Sequence, residues 1–327
     1  MISIITVNYN GLDVLREMLQ SVQLYQTQLD VEVIVVDNAS EQDPELYLKS
    51  DFPEVQFVRS PENLGFAGGN NLGIRMARGD YFFLLNSDAE LTPGALERLH
   101  NRFRENTNLG IVSPLLVYAP ESEQSTPVIQ YAGTTMVHPV TARNRTLGER
   151  EPDRGQYRHP QPTAYAHGAA MMIPRTVVER VGMMSEAYFL YYEELDWCDH
   201  IRRAGYDIEV EPRARVIHKE SISVGTDNPL KTYYLNRNRI LFMRRNRKRV
   251  EQLGFLLFLL SATVPQHGLE FALRGQWQHL RAFGRALTWH LGQKRSTFDT
   301  SLPQLRQTTA SVQHAVHHLP SPTVPLR

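Results

Sequence analysis

An α/β fold, a mostly parallel sheet flanked by helices, is predicted by two features of the 327-residue sequence. Short β-branched runs alternate with stretches of helical periodicity, the pattern of strands joined by crossover helices. Each run also stops at a cluster of small polar residues, and sheets of this class bind ligands beyond the carboxyl ends of their strands.

Residues 2–7 form the first apolar run, which ends at Asn8-Tyr9-Asn10-Gly11; Leu12, Leu15, Leu19 and Val22 then recur at helical spacing. Residues 31–36 are apolar apart from Glu32 and stop at Asp37-Asn38-Ala39-Ser40, as a strand buried on both faces would. Strands are also expected over 55–58 and 81–85, the latter ending at Asn86-Ser87-Asp88, with a helix over 65–77 between them. A helix over 92–106 is opened by Thr92 and Pro93. Residues 114–165 carry seven prolines and little periodicity, so they read as a long irregular insertion. Regular structure resumes in a strand over 169–173, a helix over 193–204 and short strands near 208–210 and 215–217. A helix over 230–249, an apolar stretch over 253–264 and an amphipathic stretch to Leu291 follow. The expected organisation is an α/β domain over 1–228, a basic amphipathic helical extension over 229–295 and a disordered tail over 296–327.

With 42% apolar and 21% charged residues, the composition argues against wholesale disorder and against an integral membrane bundle. The net charge of zero hides an asymmetry: residues 1–230 hold 20 Lys/Arg against 32 Asp/Glu, and residues 231–327 hold 15 against 3. Such a basic block suits anionic partners; no nucleic-acid motif accompanies it, so an anionic membrane surface is the expected one. The twelve residues 253–264 fall short of the roughly twenty needed to span a bilayer, so the extension is expected to lie in the interface. The competing reading packs its apolar residues on the α/β domain or in a homodimer contact. Cys198 is the single cysteine, which excludes an intramolecular disulfide, and the N-terminus lacks the pattern of a signal peptide. A cytoplasmic protein, peripheral on the cytoplasmic face of the membrane, is expected.

Several strand-end residues carry candidate chemistry. Asp37 reads alone as a turn aspartate, and in company as an acceptor for a nucleobase or ribose group. The stretch Asn63-Leu64-Gly65-Phe66-Ala67-Gly68-Gly69-Asn70 opens a helix with glycines that admit a ligand or a neighbouring backbone. It matches neither a dinucleotide fingerprint nor a P-loop. Asp88 is placed to bind a hard divalent cation, Mg²⁺ or Mn²⁺, and His218 is a further candidate ligand. Glu193, Glu194 and Asp196 open a helix whose dipole would welcome them, but the aromatics before them would raise a carboxyl pKa toward that of a general base.

Taken in order, SIITVNYNG, VVDNAS, NLGFAGGNNLGI, LLNSDAEL, GAAMMIPR, YYEELDWCDHIRRAGY and VIHKES resemble the motifs of glycosyltransferase family 2, particularly its bacterial rhamnosyltransferase-like members. The resemblance covers roughly residues 2–250, including YYLNRNRILFMRRN, which is similar to the helix after the family's catalytic domain. It implies a GT-A fold and an inverting, metal-dependent transfer from a nucleotide-diphosphate sugar, dTDP-rhamnose among the donors, to a glycan or lipid-linked hydroxyl. It also implies that Thr6, Asn8 and Asp37 hold the nucleoside and that Asn63, Gly65, Gly69 and Asn70 lie along the nucleotide sugar, joined by Asn86 and Ser87. Asp88 matches the last position of the family's D-x-D metal motif, His218 its distal metal-binding histidine, and Glu194 its catalytic base, with Glu193 and Asp196 as alternatives. Two positions depart from the pattern, Asn86 for the first aspartate and glutamate for the usual aspartate base. Competing functions are a nucleotidyltransferase that makes the sugar nucleotide, whose basic glycine-rich loop is missing after the first strand, and a non-catalytic sugar- or lipid-binding module.

Overall fold

A computed structural model describes residues 1–25, 29–120, 122, 125–219 and 228–305. Its strands are β1 (Ile2–Asn8), β2 (Val31–Asp37), β3 (Gln56–Arg59), β4 (Tyr81–Leu85), β5 (Ala89–Leu91), β6 (Leu109–Tyr118), β7 (Ile129–Tyr131), β8 (Gln161–Pro162), β9 (Ala170–Pro174) and β10 (Asp207–His218). They form one sheet in the order β3-β2-β1-β4-β9-β6-β10-β5, with β7 on β6 and β8 on β10. The strands from β3 to β4 run parallel, β9 is antiparallel to both neighbours, and β6 and β10 are parallel to each other. This is the helix-flanked, mostly parallel architecture expected of a GT-A fold.

The helices are α1 (Leu12–Tyr25), α2 (Glu45–Asp51), α3 (Gly65–Met76), α4 (Ala95–Glu105), α5 (Arg175–Val181), α6 (Glu193–Arg203), α7 (Pro229–Asn246), α8 (Arg249–Phe258), α9 (Val264–Leu273) and α10 (Trp277–Trp289). Successive strand residues point to opposite faces, so the unbroken apolar runs supply two cores at once. Ile4, Val33, Val35, Phe83 and Leu85 pack with Leu15 of α1 and Leu99 of α4. On the other face Ile5, Ile34, Val36, Phe82 and Leu84 join Ile74 of α3, Trp197 of α6 and Leu241, Phe242 and Met243 of α7. The helix that opens the basic extension is therefore part of the main core.

Four expectations need correction. Residues 114–165 are not irregular from their start, because β6 runs through Pro114 to Tyr118; the proline sits opposite Glu211, where the register with β10 slips, so its missing N–H breaks no regular ladder. The two short strands near 208 and 216 are one strand, β10, interrupted by that same bulge. Thr92 does not cap α4, whose N-cap is left-handed Gly94; its hydroxyl donates instead to the Arg215 carbonyl at 2.8 Å. The apolar stretch over 253–264 belongs to a continuous 25-residue helical run, Arg249–Leu273, which includes a π-helical turn at Leu259–Thr263. By length and composition alone this run could cross a membrane.

Of the residues assigned to a disordered tail, 296–305 are docked. Leu302 is buried, and the Met183 amide donates to the Pro303 carbonyl at 2.7 Å. Residues 306–327 lie outside the described residues.

Candidate active site

The parallel pairing of β1 and β2 sets Asn8 directly beside Asp37 at their carboxyl ends. Asn8 Nδ2 donates to Asp37 Oδ1 at 2.8 Å, the Ser40 hydroxyl donates to the same oxygen at 2.6 Å, and the Ser40 amide donates to Asp37 Oδ2 at 3.0 Å. The Arg59 guanidinium lies 3.5 Å from Oδ2. Asp37 is fully buried and holds the 37–40 turn, so the turn role weighed from sequence is realised. Thr6 Oγ1, Asn8 Oδ1 and Asn38 Oδ1 are buried beside it without a hydrogen-bond partner. Buried polar atoms seldom stay unpaired, so these oxygens mark the place on the sheet edge that lacks a donor from the protein.

The glycines of α3 serve packing. A Cβ on Gly69 would lie 2.7 Å from Val7 Cγ1, and one on Gly73 would lie 2.4 Å from Ile5 Cγ2, so both let the helix settle directly on β1. Gly65 has φ +70°, and its Cβ would fall 2.2 Å from the Phe189 carbonyl oxygen. That oxygen accepts the Phe66 amide at 2.7 Å, which ties the start of α3 to the segment before α6. Asn63 Oδ1 accepts the Gly65 amide at 2.9 Å, and Asn70 Nδ2 donates to the Phe66 carbonyl at 2.9 Å within the helix. Asn71, which carried no assignment from sequence, bonds both the carbonyl and the amide of Met184.

Asp88 and His218 meet. His218 Nε2 stands 3.3 Å from Asp88 Oδ1, while His218 Nδ1 faces Gln130 Oε1 at 2.8 Å. The amide oxygen can only accept, so Nδ1 carries a proton toward it; in the tautomer that leaves Nε2 bare, a lone pair faces the Asp88 carboxylate. Two acceptors this close fit a shared cation, since ligands at right angles around an ion at about 2.1 Å are about 3 Å apart. Among the described residues no third Asp, Glu, His or Cys completes a metal cluster with them. The nearest imidazole, His167, has its ring centroid 5.8 Å from that of His218, and burial, reinforced by His218, lowers its pKa to about 3. Asn86 and Ser87 lie at the same strand end, and the Asn86 amide donates to the Ala169 carbonyl at 2.9 Å.

Before α6 the chain takes left-handed conformations at three residues with bulky side chains, Phe189 (φ 67°), Tyr191 (φ 70°) and Tyr192 (φ 76°). Such conformations cost about 1–2 kcal/mol each and persist only where surroundings enforce them. Here α7 does so. Asn238 Nδ2 reaches the carbonyls of Tyr188 (3.0 Å), Leu190 (2.7 Å) and Tyr191 (2.8 Å), and Arg237 donates to those of Ala187 (2.6 Å) and Tyr188 (2.7 Å). Arg237 Nε in turn donates to Asn238 Oδ1 at 2.7 Å.

This brace aims three carboxyls differently. Asp196 is fully buried and accepts the Tyr188 hydroxyl at 2.9 Å, with Asn246 and Arg245 beside it, so it faces the packed interior. Glu193 is buried with Oε2 unpartnered, and burial together with the Glu194 charge holds its pKa well above the usual carboxyl range. Glu194 is partly exposed, and burial pushes its pKa up to about 7 although backbone amides of the helix N-terminus pull it down. The Glu194 stem and the Phe66 ring both flank Gly168, which adjoins His167. The 167–169 segment thus separates Glu194 from the Asp88–His218 pair and brings both to one end of the sheet. Sequence reading missed His167, Gln130, Arg237 and Asn238. Only the last two left a signal, as part of the four-residue polar run 236–239 inside the otherwise apolar YYLNRNRILF.

A family model for glycosyl transferase family 2 matches residues 3–182, more than half of the chain. The chain belongs to glycosyl transferase family 2. Among curated members, it is 28% identical over 248 residues to the low-salt glycan biosynthesis hexosyltransferase Agl10 of Haloferax volcanii, covering 73% of this chain and 74% of that one. It is 25% identical over 241 residues to the N-acetylglucosaminyl-diphospho-decaprenol L-rhamnosyltransferase of Mycobacterium tuberculosis, covering 68% and 78%. Among solved structures, GalNAc-T7 with UDP, GalNAc and Mn²⁺ superposes with a TM-score of 0.56 at 14% identity, covering 80% of this chain and 56% of that one. That last likeness bears on the fold alone. As a family 2 glycosyltransferase, the protein transfers a sugar from a nucleotide-diphosphate sugar to an acceptor.

Proposed function

We propose that the transfer is a single displacement with inversion at the anomeric carbon, with Glu194 as the general base. The observation that carries this reading is the partly exposed Glu194 carboxyl, raised to about 7 at the same sheet end as the Asp88–His218 pair. A carboxylate of that basicity removes a proton efficiently near neutral pH. Glu194 takes the proton of the acceptor hydroxyl as its oxygen bonds the anomeric carbon, and the bond from that carbon to the diphosphate oxygen breaks on the opposite face. Glu193, whose carboxyl pKa burial pushes well above the usual range, resists a second negative charge beside the base. Asp88 and His218 would hold a divalent cation, Mn²⁺ or Mg²⁺, whose chemistry is to neutralise charge on a diphosphate. Asn8, the Asp37-braced turn and the start of α3 form the wall proposed for the nucleoside, with Asn63, Asn86 and Ser87 toward the sugar. Mn²⁺ in the GalNAc-T7 structure supports the cation, and the rhamnosyltransferase relative supports L-rhamnose with a lipid-linked acceptor.

Family membership sets aside the nucleotidyltransferase reading. A thermal-shift panel of dTDP, UDP and GDP with and without Mn²⁺ tests the rest, because a ligand that binds the folded state raises the unfolding temperature. One nucleotide should stabilise the parent protein in a Mn²⁺-dependent way, and Asp88→Ala should lose the Mn²⁺ dependence. A variant that keeps it refutes the cation site, and no response to any nucleotide favours the non-catalytic module.

A further inference from the structure

We propose that α8 and α9 form a docking surface for an anionic lipid bilayer, lying along it and not crossing it. The inference stands apart from the catalytic assignment. On α8 and the turn after it, Val250, Leu253, Leu256, Leu257 and Leu260 recur at three- and four-residue spacing and are 46–74% exposed. Leu269 and Leu273, one turn apart on α9, are 62% and 78% exposed, and Trp277 at the start of α10 is 58% exposed. Two groups of large side chains left outside, at 250–260 and 269–277, make an apolar surface beyond the scattered exposure of ordinary surfaces.

The opposite side of the same helix decides against spanning. Phe255 and Leu259 are buried in the cluster that holds Trp197 and Phe242 of the catalytic body. Phe271 packs on Phe283, itself buried in α10, with ring centroids 6.3 Å apart. A helix anchored along one side to a water-soluble domain cannot be surrounded by lipid, whereas one with its free side apolar suits the interface. The expected amphipathic set is thus divided by the fold: Phe283, Leu287 and Trp289 turn toward the protein, while Leu269, Leu273 and Trp277 remain outside.

Charge selects the occupant. Lys248, Arg249, Arg274, Arg281, Arg285 and Lys294 are exposed on this part of the chain. Residues 228–305 contain only three acids, Glu251, Glu270 and Asp299, and Glu270 is paired with Arg274 at 3.1 Å. A second copy meeting this face by two-fold symmetry would set cations against cations. An anionic headgroup layer instead meets apolar strip and cations together, each near-surface Lys or Arg adding attraction that salt screens.

The test uses the full chain and sedimentation with vesicles of phosphatidylcholine, alone or with one part phosphatidylglycerol to two. The protein should bind the anionic vesicles, release in high salt, and bind roughly tenfold more weakly or worse as Leu253→Ser/Leu257→Ser/Leu260→Ser. These side chains are exposed, so an unchanged unfolding midpoint verifies that the variant is folded. Arg274→Glu/Arg281→Glu should weaken binding to anionic vesicles in the same way. Binding to neither vesicle, or equal binding to both that the serine variant retains, overturns the proposal. So does a lipid-free dimer that the serine substitutions dissociate, which would make a second copy the occupant. Retention through high salt and alkaline extraction would show a spanning helix and overturn it as well.

Discussion

Replacing Asn238 by alanine should uncouple catalysis from folding. The side chain supplies two N–H protons to three carbonyls of the 188–191 segment at 2.7–3.0 Å. At about 1 kcal/mol per hydrogen bond, plus a penalty for carbonyls left without a donor, removal costs about 2–4 kcal/mol. That segment and the residue after it contain three left-handed residues, Phe189, Tyr191 and Tyr192, which together store about 3–6 kcal/mol of backbone strain. Loss of the brace is therefore comparable to the strain, and the loop should relax locally, carrying Glu193 and Glu194 at the start of α6 out of position. A tenfold loss in rate needs only about 1.4 kcal/mol at the transition state, so kcat should fall about 10- to 100-fold. The donor KM should move less than kcat because, of the proposed donor wall, only the start of α3 touches the loop, through the Phe66 amide on the Phe189 carbonyl. Asn238→Asp, equal in shape but unable to donate, should reproduce the loss. Steady-state kinetics with the stabilising donor, beside thermal unfolding, checks this. Undiminished kcat in a variant with a lowered unfolding temperature would show that α7 merely supports the fold and would refute the reasoning.

Glu194→Gln should keep donor binding while lowering kcat by about two orders of magnitude or more, and parental activity should rise with pH through about 7 as the base ionises. Because the folded state raises this pKa above 4.5, the unfolded chain binds fewer protons between about pH 4.5 and 7, so burying Glu194 costs stability increasingly over that window and constantly above it. Glu194→Gln should accordingly raise the unfolding temperature at pH 8 and leave it nearly unchanged at pH 5; equal shifts at both would disprove the linkage. Gly73→Ala should destabilise the protein by about 1–3 kcal/mol in urea denaturation, since the added methyl lies 2.4 Å from Ile5 Cγ2 in a packed core, and a neutral result would contradict the close seating of α3 on β1.

How far the site was legible depended on whether a residue acts from its own element. Asp88 and His218 sit at strand ends that apolar runs announce, and their meeting follows from strand order, since β5 and β10 are neighbours. Asp37 was legible as a strand-end carboxylate, but its neighbours Ser40 and Arg59 turn it toward its own loop. Glu194 was visible within a carboxylate cluster. What separates it from Asp196, two residues on, is the company of Tyr188, Arg245 and Asn246, drawn from 8 to 50 positions away along the chain.

Read residue by residue, the chain already shows the alternation of strands and helices, the polar strand ends, the family motifs and the basic C-terminal third. These are local properties: side-chain periodicity selects strand or helix, and a chain of parallel strands must present its carboxyl ends together. The packed fold was needed to show which carboxyl is half open and which are sealed, that the α3 glycines seat a helix against β1, and that α7 braces a strained loop. It also decided which apolar residues of the extension face the core and which face outward. Burial and hydrogen-bond partnership belong to pairs of residues distant in the chain, and the same side chain takes either role according to what the fold brings against it.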